Sequence, residues 1–415
     1  MNFESKKLQE FLNINISHRL PYFKPPIFSE NSKTFLTSII DKLCSYEKEF
    51  DYSKININHI DDNYIPKGIH YDLCPDNIKK YTKNIKTTGK SFYFSIGERK
   101  IKIYLIYEYS HDNNPSFKKF FYNAIHRIYL LISLLQSYSL SECSQYLTIY
   151  LYLTNLKKTL DDCDKHCSID EKNANSAFTF ACKKKNEVYI YRKEEWFKVL
   201  AHELFHSFGL DFSQFDSEDI NKKIYSIFPI KTDLRLYETY CEVWAELLNV
   251  LFISFFSIKC SEHNYNQKII KKIQLFIYQE ILFSLFQSTK ILTYFGITYG
   301  DLYERTSDAI NNRNNYKETT PVLSYYIIKS IIIFNINDFL EWCFIHNNGS
   351  LNFDKSSDVV INNNINNYID FIRKQHQNPL YIDSVRDVRN WFLKQDKTNR
   401  MDNTPINTLR MSLLE

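Results

Sequence analysis

Residues 176–209 constrain the fold of this chain more than any other stretch. Two strand-like runs, SAFTFA and EVYIYR, lie on either side of a polar, basic turn at 183–186. Short β-prone runs around such a turn predict an antiparallel hairpin. The helical pattern EEWFKVLAHELFHSF follows at once and ends at Gly209, in the usual place of a helix C-cap. The chain is therefore expected to pass directly from a sheet into a helix.

The flanking patterns indicate a mixture of strands and helices. Upstream, residues 91–107 predict a hairpin, residues 117–139 a helix and residues 147–153 a further strand. From about residue 234 onward almost every segment has helical spacing, with a break expected at the Asn-rich stretch 361–367. This order of elements is typical of an α+β protein.

Composition excludes several classes of protein. The 52 basic and 48 acidic residues give a net charge of +4, which is too balanced to favour a nucleic-acid partner. The chain has only 7 glycines and lacks both common phosphate-binding glycine motifs, so no phosphate-cradling loop is predicted. Charged residues interrupt every long apolar stretch, and no signal peptide is evident, so we expect neither a membrane span nor secretion.

The nine cysteines are odd in number and include no C-x-x-C pair. This pattern favours reduced thiols in an intracellular protein over a disulfide framework, so a cytoplasmic location is expected. Cys163, His166 and Cys167 lie close together in sequence. Three ligands in a polar loop with no distal partner do not predict a metal site there.

The H-E-x-x-H motif formed by His202, Glu203 and His206 carries the strongest chemical signal. Histidines four residues apart lie one above the other on a helix face, close enough to bind one zinc ion. Glu203 lies on the same helix and could take a proton from a zinc-bound water. The competing interpretation is a helical interaction protein without metal, in which two buried histidines match the motif by coincidence.

A catalytic zinc site needs a third protein ligand and one position for water. The metzincin pattern would place that ligand at residue 212, which is Phe212, and the three methionines do not supply the Met-turn of that family. Three glutamates at four-residue intervals offer an alternative on a second helix: Glu238, Glu242 and Glu246.

The run Glu242-Val-Trp-Ala-Glu246 resembles the E-x-x-A-[DE] element of the gluzincin branch of zinc peptidases. The resemblance implies that Glu242 is the third zinc ligand and that Glu246 supports a histidine ligand. Glu238 remains a rival for the ligand role. The block 175–210 is also similar to zinc peptidases encoded by large DNA viruses, and the resemblance covers roughly residues 95–250.

The resemblance implies a zinc-dependent metallopeptidase in which Glu203 is the general base, and we expect an endopeptidase. An extended protein or peptide substrate would pair with an edge strand at 175–179. Tyr325 or Tyr237 would stabilise the oxyanion. The alternative from a different class is a catalytically silent zincin fold with a structural or partner-binding role, for example in a virion.

The predicted fold is therefore α+β, with a zincin-like catalytic core of a mixed sheet and an active-site helix over residues 91–250. An irregular region is expected at 1–90 and a mainly helical one at 251–415. If the protein is viral, the expected location is the host cytoplasm or the virion.

Overall fold

The computed structural model describes residues 3–108, 115–160, 167–215, 218–395 and 404–415. It is an α+β structure with one six-stranded mixed sheet, as the sequence predicts. The strands are β1 Asn56–Ile60, β2 Thr87–Ile96, β3 Arg99–Glu108, β4 Tyr146–Thr154, β5 Ala177–Phe178 and β6 Lys185–Arg192. Their order in the sheet is β1-β2-β3-β4-β6-β5.

Both predicted hairpins are confirmed. Strands β2 and β3 pair antiparallel around Gly97, and β5 pairs antiparallel with β6, with Ala177 opposite Ile190. Strand β4 is parallel to β3 and to β6, which makes the sheet mixed. Strand β5 ends the sheet on one side, and its neighbour β6 leads directly into the helix that carries the histidines.

Helices make up most of the remaining described chain. They are α1 Phe3–Asn15, α2 Glu30–Glu49, α3 Asp76–Asn84, α4 Pro115–Gln136, α5 Glu171–Ala174, α6 Trp196–Ser207, α7 Glu218–Tyr225, α8 Leu236–Phe255, α9 Tyr265–Tyr294, α10 Ser307–Arg313, α11 Lys329–Phe334, α12 Ile336–His346, α13 Asp358–Gln375, α14 Pro379–Lys394 and α15 Thr404–Asn407. A π-helical turn, Leu323–Ile328, precedes α11. The predicted helices over 117–139 and 193–208 are confirmed to within a few residues.

The larger part of the core lies on one face of the sheet, and a smaller buried cluster that includes Ile106, Tyr150 and Tyr189 lies on the other. Ile101, Ile103 and Leu105 of β3 alternate along the strand and are fully buried in the larger part, as their spacing predicts. The same buried apolar cluster extends from Leu8 in α1 to Leu414 near the end of the described chain. The segments before and after the predicted catalytic core therefore share its hydrophobic interior.

Two expectations about chain organisation are wrong. Residues 1–90 are not irregular, because they contain α1, α2, β1 and α3. Strand β2 crosses position 90 and α8 crosses position 250, so neither predicted boundary falls between elements.

The break predicted in the Asn-rich stretch is also wrong, since α13 runs through 361–367 without interruption. Ile361, Ile365 and Tyr368 recur at helical spacing and are buried. Burial of this apolar stripe outweighs the weak helix propensity of the asparagines between them.

The expectation of reduced thiols fails for several cysteines. Cys44 is bonded to Cys260, and Cys143 to Cys182. Cys167 is also disulfide-bonded, whereas Cys163 and His166 lie outside the described residues. The first bond joins residues 216 positions apart whose Cα atoms lie 6.0 Å apart, a proximity that only tertiary packing creates.

No helix in the described part of the chain is both long enough and apolar enough to cross a lipid bilayer.

Replacement of Ile365 by Ala should lower the free energy of unfolding by about 2–5 kcal/mol, because a buried side chain in α13 is lost and a cavity remains. Equilibrium urea unfolding measures the change. The matched control is Asn363→Ala at an exposed position of the same helix, where a change within about 0.5 kcal/mol is expected. Equal effects of the two substitutions would contradict a buried α13.

Candidate metal centre

Helices α6 and α8 pack against each other and bring basic and acidic side chains face to face. Lys198 pairs with Glu242, His202 contacts both Glu242 and Glu238, and His206 contacts Glu238. Residue numbers therefore rise along one helix as they fall along the other, so the two helices run in opposite directions. These charged groups are almost entirely buried, and each has a partner of opposite charge across the helix interface.

Three atoms converge at the centre of this interface. The distance is 3.0 Å from His202 Nε2 to Glu238 Oε2, 3.1 Å from His202 Nε2 to His206 Nε2, and 3.4 Å from His206 Nε2 to Glu238 Oε2. Ligand atoms at bond lengths of about 2.0–2.1 Å around a tetrahedral zinc lie about 3.3 Å apart. The three side chains thus lie close enough together to hold a single metal ion.

The other ring nitrogen of each histidine faces a carboxylate. His202 Nδ1 lies 2.9 Å from Glu242 Oε1, and His206 Nδ1 contacts Asp211 Oδ2. The hydrogen bond to Asp211 holds the proton of His206 on Nδ1 and leaves the lone pair of its Nε2 directed at the metal position. Glu242 acts on His202 through its charge, because Nδ1 of His202 forms no hydrogen bond within the described residues. Cys241 Sγ, 3.4 Å from Asp211 Oδ2, adds a further buried contact behind His206.

The pKa shifts at the centre follow from burial opposed by these ion pairs. Burial alone would raise the pKa of Glu242, but Lys198 and His202 hold it well below its usual range. Burial would likewise raise the pKa of Glu238, but the two histidines lower it. Burial would lower the pKa of His202, yet its carboxylate neighbours raise it to about 9. A metal ion that binds here must therefore displace a proton.

Glu203 lies beside the three converging atoms and faces a small pocket. Burial raises the pKa of its carboxyl group, and no hydrogen bond joins that group to another side chain among the described residues. The pocket has a volume of about 40 Å³ that the centre of a water molecule can occupy, more than the roughly 10–15 Å³ that a single water needs by this measure. The residues that line it are Lys158, Ala174, Asn175, Ser176, Ala177, Lys198, Val199, His202, Glu203, Glu242, Tyr325 and Met411.

Both tyrosines that the sequence analysis selected lie near the histidines. The ring centroid of Tyr325 is 6.2 Å from that of His202, and the ring centroid of Tyr237 is 5.9 Å from that of His206. Tyr325 belongs to the π-helical turn and lines the pocket. Such turns are frequent at functional sites.

The edge strand also reaches the pocket. Asn175, Ser176 and Ala177 line it, and the carbonyl of Ser176 accepts a hydrogen bond from the N–H of Tyr191, in β6. Strand β6 therefore occupies one side of this segment, and the pocket lies alongside it.

The structure distributes the predicted carboxylates differently from the motif. Glu238, the rival candidate, occupies the position of a third ligand, and Glu242 lies behind His202 instead. The role expected for Glu246 is wrong, because its carboxylate contacts Lys329 at 2.8 Å and neither histidine. Helix α8 is shifted so that Glu242 meets Lys198, one turn before His202, and this shift brings Glu238 level with both histidines.

Two neighbours of the histidines, Asp211 and Lys198, are not among the residues that the sequence predicts for the site. Asp211 returns to His206 because Gly209, at φ +63°, reverses the chain after α6. A carboxylate two residues beyond a C-cap glycine was the available signal. Lys198 was also missed, although a lysine four residues before His202 on an otherwise apolar helix face requires a buried partner.

Comparison with known proteins identifies no family. No family model matches the chain, and no solved structure matches it. The chain is similar to an uncharacterized protein of Acanthamoeba polyphaga mimivirus, with 25% identity over 371 residues that cover 83% of this chain and 88% of the viral protein. A viral relative thus exists over most of the length, without an assigned activity.

Substitution of Glu238, Glu242 or Glu246 by Gln, one at a time, should show how much each carboxylate contributes to zinc affinity. We expect Glu238→Gln to abolish stable zinc binding. We expect Glu242→Gln to weaken it by about 10–100-fold, as loss of a histidine-supporting carboxylate does. Glu246→Gln should leave the zinc affinity unchanged. Elemental analysis after dialysis and competition with a chelator measure these effects, and circular dichroism checks the fold.

If Glu242→Gln lost zinc while Glu238→Gln retained it, the ligand assignment from the motif would be correct and the geometric one wrong.

Proposed function

We propose that this protein is a zinc-dependent metallopeptidase with a zincin-like core, in which His202, His206 and Glu238 hold the metal. The observation that carries the proposal is the convergence of their three ligand atoms within 3.0–3.4 Å of one another. Glu203 and His202 both line a pocket of about 40 Å³. A helix pair with a purely structural role has no need of a buried carboxylate such as that of Glu203, which forms no hydrogen bond or ion pair with a side chain of the described residues.

Zinc at this centre would activate a water molecule and polarise the carbonyl of the scissile bond. Glu203 is the general base in the proposal, because it lines the pocket and no side chain of the described residues forms a hydrogen bond or an ion pair with its carboxylate. Its pKa, raised by burial, suits it to accept a proton from the water and to pass that proton to the leaving amine.

Tyr325 is the proposed donor to the oxyanion. Burial, together with the surrounding carboxylates, raises the pKa of its phenol well above the usual range, so it keeps its proton at neutral pH. A phenol that stays protonated beside the pocket can donate a hydrogen bond to the negative oxygen that develops during hydrolysis. Tyr237 lies behind His206 and does not line the pocket.

The proposed substrate is a protein or peptide in extended conformation. Ser176 and Ala177 adjoin the pocket and face β6 on one side. An extended chain could pair with the opposite side through backbone hydrogen bonds, a mode in which affinity comes largely from the main chain. Such pairing would place the scissile bond beside Glu203.

The substitution Glu203→Gln should preserve zinc and lower peptide cleavage by about 10²–10⁴-fold, because it removes the general base and keeps the shape of the side chain. Zinc-loaded protein would be incubated with a mixed peptide library, and the products identified by mass spectrometry. Wild-type protein that carries zinc and cleaves no peptide would contradict the proposal and favour the silent, partner-binding alternative.

A pair of Tyr→Phe variants tests the oxyanion donor. Tyr325→Phe should lower kcat by about 10²–10³-fold, as loss of one oxyanion donor does elsewhere. Tyr237→Phe is the matched control, with an expected loss below about tenfold. The reverse order of effects would transfer the role to Tyr237.

A further inference from the structure

Residues 408–414, which we call the strap, run through the interior without forming a helix or a strand. Every residue of the strap is at most 6% exposed. A buried irregular segment must satisfy its backbone N–H and C=O groups through side chains, because unpaired buried polar groups are costly. The strap is therefore held by the elements around it.

Side chains of α8, α9 and the π-helical turn supply these partners. Glu280 accepts hydrogen bonds from the N–H groups of Leu413 and Leu414, both at 2.7 Å. Asn249 donates to the carbonyl of Leu414 at 2.9 Å, and Tyr326 donates to the carbonyl of Leu409. These hydrogen bonds thus fix the position of the strap backbone in the core.

Hydrogen bonds hold both the backbone N–H and the carbonyl of Met411. Its N–H donates to Glu195 Oε1 at 2.8 Å, and its carbonyl accepts from Lys329 Nζ at 2.6 Å. Glu195 is itself paired with Lys158, and Lys329 with Glu246, each at 2.8 Å. Two buried ion pairs consequently fix the backbone of this one residue.

The side chain of Met411 is directed to the pocket. It forms part of the pocket lining together with Glu203, and its Sδ lies 3.7 Å from Lys198 Nζ. The two lysines of the lining are neutralised, Lys158 by Glu195 and Lys198 by Glu242. No unpaired positive charge among these two is available to attract an acidic substrate side chain.

We propose that Met411 determines substrate specificity, because the strap fixes its side chain as a wall of the pocket that receives a substrate residue beside the scissile bond. This inference rests on the proposed peptidase function. The preferred residue is small and uncharged, since the pocket is only about 40 Å³ in volume and its lysines are paired.

The experiment compares relative kcat/KM values of zinc-loaded, full-length protein for peptides that differ at one residue beside the cleaved bond, Ala or Leu. Met411→Ala should raise the Leu-to-Ala ratio by about 10–200-fold, the range that a change of one methylene in an apolar pocket produces. Met411→Val should shift the ratio in the same direction, and Met411→Leu should keep it close to the wild-type value.

Leu413→Val is the matched control, because Leu413 belongs to the strap but does not line the pocket; its ratio should equal that of wild type. Substitution of a side chain leaves the backbone bonds of the strap intact. If Met411→Ala nevertheless failed to fold, Met411→Val would decide the question.

Unchanged ratios in Met411→Ala and Met411→Val, with full zinc content and measurable cleavage, would overturn this inference and leave the peptidase proposal standing. Absence of cleavage by zinc-loaded wild type would overturn both.

Discussion

The pairing of opposite charges between α6 and α8 is the interaction on which the rest of the site depends. Lys198, His202 and His206 recur every turn of one helix, and Glu242 and Glu238 face them from the other. A buried charge without a partner costs several kcal/mol, so only a matched register of the two helices is tolerated. That register also brings three ligand atoms to the spacing of a metal site.

Pairing of buried opposite charges also organises the interior around the strap. Glu195 forms a buried ion pair with Lys158, and Lys329 forms one with Glu246. Glu195 also accepts a hydrogen bond from the N–H of Met411, and Lys329 donates one to its carbonyl. Buried pairs add little net stability, but their geometry is specific. Met411 thus links the ion pairs around the strap to Lys198, which in turn pairs with Glu242 beside His202.

Sequence reasoning succeeded where the chemistry depends on local spacing. The two histidines and Glu203 share a helix, and the hairpin precedes it, so their proximity follows from helix and strand geometry. It favoured Glu242 over Glu238 as the third ligand; the two lie on the same face of α8 one turn apart. The choice depends on the axial shift of α8 relative to α6, which motif matching cannot specify.

Local spacing therefore determined the helix that carries both histidines, the strands around it and the α+β class of the chain. Long-range packing decided the third ligand position, the support of His206 by Asp211, the disulfides and the course of Met411 into the pocket. The physical reason is distance along the chain. Contacts within one helix follow from its repeat, whereas Met411 and Lys198 meet only because the whole interior satisfies its charges and apolar surface at once.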